Sequence, residues 1–301
     1  MAVTKLVRQE LDFGNEGSLS YLEWTDGGGR IPLHFAHANG FNSLTYRTLL
    51  SPLASRFHIR AWDARGHGHS TLPAAPENLH DWKIYRDDMI HFVERFADET
   101  AQAVVLAGHS MGATISLMVA AERPDLVRGV CLLEPVIGTQ NYLSRVRFLN
   151  MLGLGSSNEL ARMAAQRRSA FPDRPSMIRA CSGRGVFRTW PDDMIADYVE
   201  GGTRLDERGH AHLSCSPAWE AASLLAQGHD VWRALRNLRV PITLIYAGNG
   251  TTCHPVAQMR LGEIDPEATI LRLGYATHFL PMECPDIVRR EMLALTIRIN
   301  G

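Results

Sequence analysis

The sequence predicts an α/β protein: a mainly parallel sheet with helices on both faces, interrupted by an inserted segment. Short apolar runs bounded by turn residues recur at 31–37, 57–62 and 103–108, each too brief for an independent helix and so expected as strands. Helical patterns lie after them, over 78–96 and 113–122, and strands alternating with helices build parallel sheets. The alternation stops after residue 134 and resumes only at 239, which marks the insertion.

Taken in order, residues 18–24 alternate in polarity and precede Asp26-Gly27-Gly28-Gly29, a stretch that permits a tight reversal. The sheet is therefore expected to begin with a hairpin that joins this segment to the strand at Ile31. FHIRAW (57–62) and AVVLAG (103–108) follow, and the helix over 113–122 is stopped by Pro124, which lacks the N–H a helix interior needs. Another strand reads from VRGVCLLE (127–134). Residues 136–216 then hold helical pieces, Pro and Gly interruptions and a strand-like pair around Asp206-Glu207-Arg208-Gly209. They are expected to form a cap on a core made of 1–135 and 217–301. RVPITLIYAG (239–248) and ATILRL (268–273) return to the sheet, and Pro285-Asp286 opens a closing helix, proline being suited to a first helical turn.

Composition narrows the class of function. A chain of 301 residues with 45% apolar and 21% charged positions has the balance of a soluble globular protein with a large core. Its 31 Lys and Arg against 32 Asp and Glu leave a net charge of −1, without the basic excess of a nucleic-acid binder. Five widely spaced cysteines with no C-x-x-C pairing suggest neither a disulfide framework nor a zinc site, and a reducing, cytoplasmic setting is expected. No 18 uncharged apolar residues run together, so no membrane span is expected. The expected partner is a small-molecule substrate, with no cofactor and no metal; the oligomeric state is not legible.

The chemistry concentrates in Gly108-His109-Ser110-Met111-Gly112, a G-x-S-x-G pattern. Alone it is a weak signal, but here an apolar strand enters it and an apolar helix leaves it, as a nucleophile elbow requires. So sharp a turn places the serine in a strained backbone region and leaves no room for Cβ atoms beside it, which explains the flanking glycines.

With this motif the chain resembles the α/β-hydrolase superfamily. The resemblance extends to His37-Ala38-Asn39-Gly40 after a strand, to Asp63-Ala64-Arg65-Gly66-His67-Gly68-His69-Ser70, similar to a D-x-R-G-x-G-x-S loop, and to Thr277-His278-Phe279-Leu280-Pro281-Met282-Glu283 near the end. It implies that Ser110 is the nucleophile and His278 the general base, since a serine hydroxyl is a poor nucleophile until an imidazole takes its proton. It further implies an oxyanion hole from the backbone N–H groups of Met111 and Asn39. Asn39 also occupies the place of the halide-binding asparagine in haloalkane dehalogenases, but those enzymes need an aspartate nucleophile and position 110 is serine. The chain departs from the family's pattern in the triad acid: residues 248–253, where most members carry it, contain no carboxylate. A minority place it one strand earlier, where this chain has Glu134, so Glu134 is the expected acid. A carboxylate at the end of a buried strand otherwise accepts from a loop N–H or an arginine.

Other polar residues have simpler uses. Asp63 is expected to tie down its own loop, and His37 and His109 to be structural. His210 and His212 can share a strand face, but no third metal ligand is evident. The arginines of the insertion, Arg162, Arg167, Arg168, Arg174 and Arg179 among them, attract an anion or are neutralised by Asp192, Asp193, Asp197 and Glu200. Met151, Leu152, Leu154, Met163, Phe187 and Trp190 line a pocket above Ser110 or form the cap's own core. The functional expectation is a serine hydrolase that acts through an acyl-enzyme on an ester, thioester or lactone of a small to medium apolar substrate. Hydrolysis of a C–C bond beside a ketone by the same triad, and a non-catalytic ligand receptor on this fold, are the alternatives.

Overall fold

The computed structural model describes residues 5–25, 31–151 and 158–299. Among the described residues, eight strands make one sheet: β1 (Lys5–Asp12), β2 (Ser18–Thr25), β3 (Ile31–Ala36), β4 (Phe57–Trp62), β5 (Val104–His109) and β6 (Val127–Leu133), joined by β10 (Ile242–Ala247) and β11 (Thr269–Leu273). Between β6 and β10 the short strands β7 (Ala170–Phe171), β8 (Thr203–Leu205) and β9 (Ala211–Leu213) form a separate sheet. The large sheet runs β1-β2-β4-β3-β5-β6-β10-β11, parallel from β4 onward.

The helices follow in chain order: α1 (Arg47–Leu50), α2 (Lys83–Thr100), α3 (Met111–Glu122), α4 (Gln140–Met151), α5 (Glu159–Ala165), α6 (Arg174–Cys181), α7 (Asp192–Gly201), α8 (Pro217–Leu225), α9 (Val231–Asn237), α10 (Pro255–Ile264), α11 (Leu280–Glu283) and α12 (Pro285–Arg298). They cover both faces of the sheet, as strand alternation requires. In β5, Val104 and Leu106 join the core under α2, α3 and α9, while Val105 and Ala107 point into the core under α1 and α12. Both side-chain sets of β5 are thus buried, which explains its unbroken apolar run. Among the described residues, no helix is long and apolar enough to cross a membrane.

The α/β class, the strands at 31, 57, 104, 127, 242 and 269 and the closing helix at Pro285 match the sequence expectation. The opening hairpin does not. β2 lies between β1 and β4, antiparallel to both, whereas β3 is flanked by β4 and β5. The reversal that leads into β2 is instead at residues 13–17, where the Phe13 N–H donates to the Gly17 carbonyl at 2.8 Å and Gly14 and Gly17 take positive φ. The loop at 26–30 lies outside the described residues. Local turn chemistry misled because β3, almost wholly buried, belongs in the sheet centre, while the half-exposed β1 suits an edge.

The described residues among 140–151 and 158–213 add no strand to the large sheet. α7 is tied to the core by three contacts: Asp197 pairs with Arg47, Asp193 accepts from the Thr48 hydroxyl at 2.9 Å, and the Tyr198 carbonyl accepts from Asn42 Nδ2 at 3.0 Å. On the other side α5 packs on α8, with Ala161, Ala164 and Ala221 in a small apolar cluster of their own.

Candidate active site

β5 ends at His109 and α3 begins at Met111, so one residue, Ser110, makes the reversal between them. Its φ of 55° and ψ of −118° fall where side chains are seldom tolerated, a strain that persists only where the surroundings enforce it. Those surroundings are visible: the Ser110 N–H donates to the Leu133 carbonyl at 2.9 Å, and its carbonyl accepts from the Thr114 N–H at 3.1 Å. A Cβ on Gly108 would stand 2.5 Å from the Gly112 carbonyl carbon, and one on Gly112 would overlap the Ala36 carbonyl of β3. Both glycines are therefore needed to bring strand and helix this close. Among the described residues, no hydrogen bond reaches the Ser110 hydroxyl.

Glu134 follows β6 directly and also has positive φ, 51°. Its carboxylate is fully buried and saturated by four donors. Oε1 accepts from the Ala247 N–H at 2.5 Å and the Thr251 hydroxyl at 2.7 Å, and Oε2 accepts from the Thr252 N–H at 3.1 Å and His278 Nδ1 at 3.0 Å. Burial pushes this carboxyl up, but the His278, Ala247 and Thr251 hydrogen bonds and the His278 charge outweigh it and hold the group below the usual carboxylate range. An ionised carboxylate only accepts, so His278 donates to it from Nδ1. The loop without an acid at 249–253 thus has a part in the site: Thr251 and Thr252 provide three contacts to Glu134, counting the Thr252 hydroxyl bond to its carbonyl at 2.9 Å. Sequence reasoning missed both threonines. Their signal was position alone, since Thr251 stands where the family's pattern has its acid.

Met111 is buried at the first turn of α3, and Asn39 lies in the loop after β3. The Asn39 side chain donates from Nδ2 to the Glu220 carbonyl at 3.0 Å. Buried histidines and Asp63 fix this loop. His67 Nε2 accepts from the Gly40 N–H at 3.0 Å, His37 Nε2 accepts from the Ala64 N–H at 2.9 Å, and His37 Nδ1 donates to the Ala38 carbonyl at 2.7 Å. Burial lowers both imidazoles, His67 to about 3, so both are neutral. Asp63 accepts from the Ser43 and His69 N–H groups and pairs with Arg8, a loop clamp.

The remaining candidates sort themselves by contact. Phe187 and Trp190 are buried; Trp190 packs 5.3 Å from Phe41 and 5.9 Å from Phe279, ring centroid to centroid, and Phe279 adjoins His278. Met163 is exposed, and Leu152, Leu154 and the Met151 side chain lie outside the described residues. The insertion's arginines do find partners, though seldom the acids expected. Arg167 pairs with Glu220, Arg162 with Glu159, and Arg174 bonds Thr203 and the Glu200 carbonyl, while Asp193 and Asp197 serve the contact to the core. His210 and His212 both bond Asp206 Oδ2 at 3.1 Å, and among the described residues no group of three His, Cys, Asp or Glu is placed to hold a metal. Cys253 is buried, as a packing residue would be.

A model of the alpha/beta hydrolase family matches residues 35–291. Over 268 residues the chain is 26% identical to a 2-(acetamidomethylene)succinate hydrolase of Mesorhizobium japonicum, covering 88% of this chain and 87% of that protein. It is 28% identical over 282 residues to haloalkane dehalogenase 2 of Mycobacterium tuberculosis, with 92% of each covered. The crystal structure of E-2-(acetamidomethylene)succinate hydrolase superposes on 97% of this chain and 99% of that one, with a TM-score of 0.74 at 23% identity.

Proposed function

The chain belongs to the alpha/beta hydrolase family and is a hydrolase of that fold; from this premise we propose that it is a cofactor-independent serine hydrolase whose triad is Ser110, His278 and Glu134. The supporting observation is the buried, fully bonded Glu134 carboxylate 3.0 Å from His278 Nδ1, which leaves Nε2 to act as the base for the strained Ser110. Ser110 Oγ attacks the scissile carbonyl while its proton passes to His278 Nε2, and Glu134 stabilises the imidazolium that forms. The oxyanion takes hydrogen bonds from the backbone N–H groups of Met111, at the positive end of α3, and Asn39. His278 then protonates the leaving group, and water repeats the sequence on the acyl-enzyme. Residues 136–216 act as the cap, and Phe41, Trp190 and Phe279 place an apolar wall beside the reacting centre.

The substrate in this reading is a small to medium ester, thioester or lactone. The Mesorhizobium relative favours a second reading: its name gives 2-(acetamidomethylene)succinate as substrate, which puts an acylated nitrogen on a dicarboxylic acid among the compounds to test. A C–C bond beside a ketone can be cut by the same three residues. The Glu134–His278 hydrogen bond supports the enzyme over a non-catalytic receptor on this fold, since it offers His278 the carboxylate that 249–253 lack. Position 110, a serine, does not suit dehalogenation through an aspartate. A burst of p-nitrophenol from p-nitrophenyl acetate, with stoichiometric fluorophosphonate labelling at Ser110, is the expected result. Absence of both would reject the serine-hydrolase reading, and turnover of (acetamidomethylene)succinate without ester turnover would select the second.

A further inference from the structure

His109, the residue before the nucleophile, is fully buried, and each of its ring nitrogens has one partner. Nε2 lies 2.8 Å from the His278 carbonyl oxygen, and Nδ1 lies 2.8 Å from the Tyr46 hydroxyl. The Tyr46 oxygen in turn is 3.1 Å from the Ala38 N–H. Every proton in this chain can be assigned. A carbonyl only accepts, so Nε2 carries the His109 proton. Burial and the neighbouring His278 hold the imidazole well below its ordinary pKa, so the ring is neutral and Nδ1 is bare. Tyr46, whose phenol burial keeps protonated, donates to Nδ1 and accepts from Ala38.

Resting on the serine-hydrolase reading, we propose that Tyr46 and His109 are positioning residues for the reaction: one hydrogen-bond chain, Ala38 N–H to Tyr46 to His109 to the His278 carbonyl, ties the oxyanion loop to the catalytic base. Its two ends are the two parts whose separation matters. Ala38 immediately precedes Asn39, the oxyanion donor, and the His278 carbonyl belongs to the residue that moves the proton. Donors to an oxyanion act within about 2.7–3.1 Å, and a misplacement of about 1 Å costs up to roughly 10²-fold in rate. If packing alone mattered before Ser110, an apolar side chain would serve without the penalty of burying a polar ring. The Tyr46 ring is held separately by Phe35, 4.6 Å away between centroids, so removing the hydroxyl breaks the chain without removing the ring.

The test combines kinetics with NMR on the full chain. With p-nitrophenyl acetate, Tyr46→Phe is expected to lower kcat about 10- to 100-fold with KM within about twofold. His109→Phe should fall by a similar factor. His109→Gln keeps one donor and one acceptor and should recover most of the loss, which a merely space-filling role would not give. Independently of turnover and of variant folding, 15N-histidine spectra of the wild type, with His109 assigned through bonds from its own backbone, should show the Nε2–H tautomer. An Nδ1–H tautomer, wild-type kcat in Tyr46→Phe, or an effect confined to KM overturns the inference while Ser110 still labels. A wild type that does not label at Ser110 overturns the serine-hydrolase reading and the inference with it.

Discussion

At the scale of single residues, Glu134 does two jobs with one carboxylate: it closes the loop at 251–252 and fixes the tautomer of His278. Glu134→Gln should therefore fold, because an amide still accepts from Ala247 and Thr251, yet lose roughly 10³- to 10⁴-fold in kcat, the scale seen when a triad acid alone is removed. Thr251→Asp in that background offers a carboxylate from the neighbouring loop and should regain part of the loss; no change on ester hydrolysis in Glu134→Gln would remove Glu134 from the triad. Ser110→Ala should abolish turnover with little change in Tm, because glycines and backbone bonds on both sides hold the elbow. The carboxyl of Glu134 also carries a pH signature. Since its folded pKa lies below the ordinary value, its contribution to stability is present above that ordinary value and lost as pH falls through the lower one. The acid-side drop in Tm should be shallower in Glu134→Gln than in the wild type, and parallel curves would contradict this.

Elements explain why those residues meet. α3 crosses β3 and β5 where only glycine fits, so Gly112→Ala should destabilise by at least about 2 kcal/mol in urea unfolding, the overpacked Cβ meeting the rigid Ala36 carbonyl rather than a side chain that can move. A near-neutral result would mean the strand and helix can separate. Within the insertion, Trp190 joins Phe187 and Tyr198 to Phe41 and Phe279, and in the proposed function this cluster would meet parts of a substrate remote from the carbonyl. Trp190→Ala should accordingly alter the ranking of acetate, butyrate and octanoate esters more than it alters the acylation rate of acetate. An unchanged ranking would assign the cluster to the cap's own packing.

For the whole molecule, the contact between insertion and core has its own dependence on pH. Burial, against the opposing Arg47, pushes the Asp197 carboxyl up to about 6, with Asp193 and Glu200 adding to the rise. A raised folded pKa favours the protonated form, so this contribution is present below the unfolded value and lost as pH rises through about 6. Relative to the wild type, Asp197→Asn should gain on the order of 2 kcal/mol between pH 4 and 8, read as a Tm difference that grows with pH; a gap that shrinks with pH would reverse the sign assigned here. The sequence by itself determined the α/β class, the elbow at Ser110 and the core strands, because apolar periodicity and glycine requirements are local and reach only a few residues along the chain. It singled out His278 and Glu134 as candidates by motif and by position at a strand end. Only the tertiary structure decided that β2 turns to β1 and β4 rather than to β3, and that Thr251 and Thr252, 117 and 118 positions from Glu134, complete its shell. Tyr46 and His109, 63 positions apart, likewise meet only in the fold. Strand order and buried polar pairing are settled by which surfaces exclude water together, a property of the folded whole that no local pattern carries.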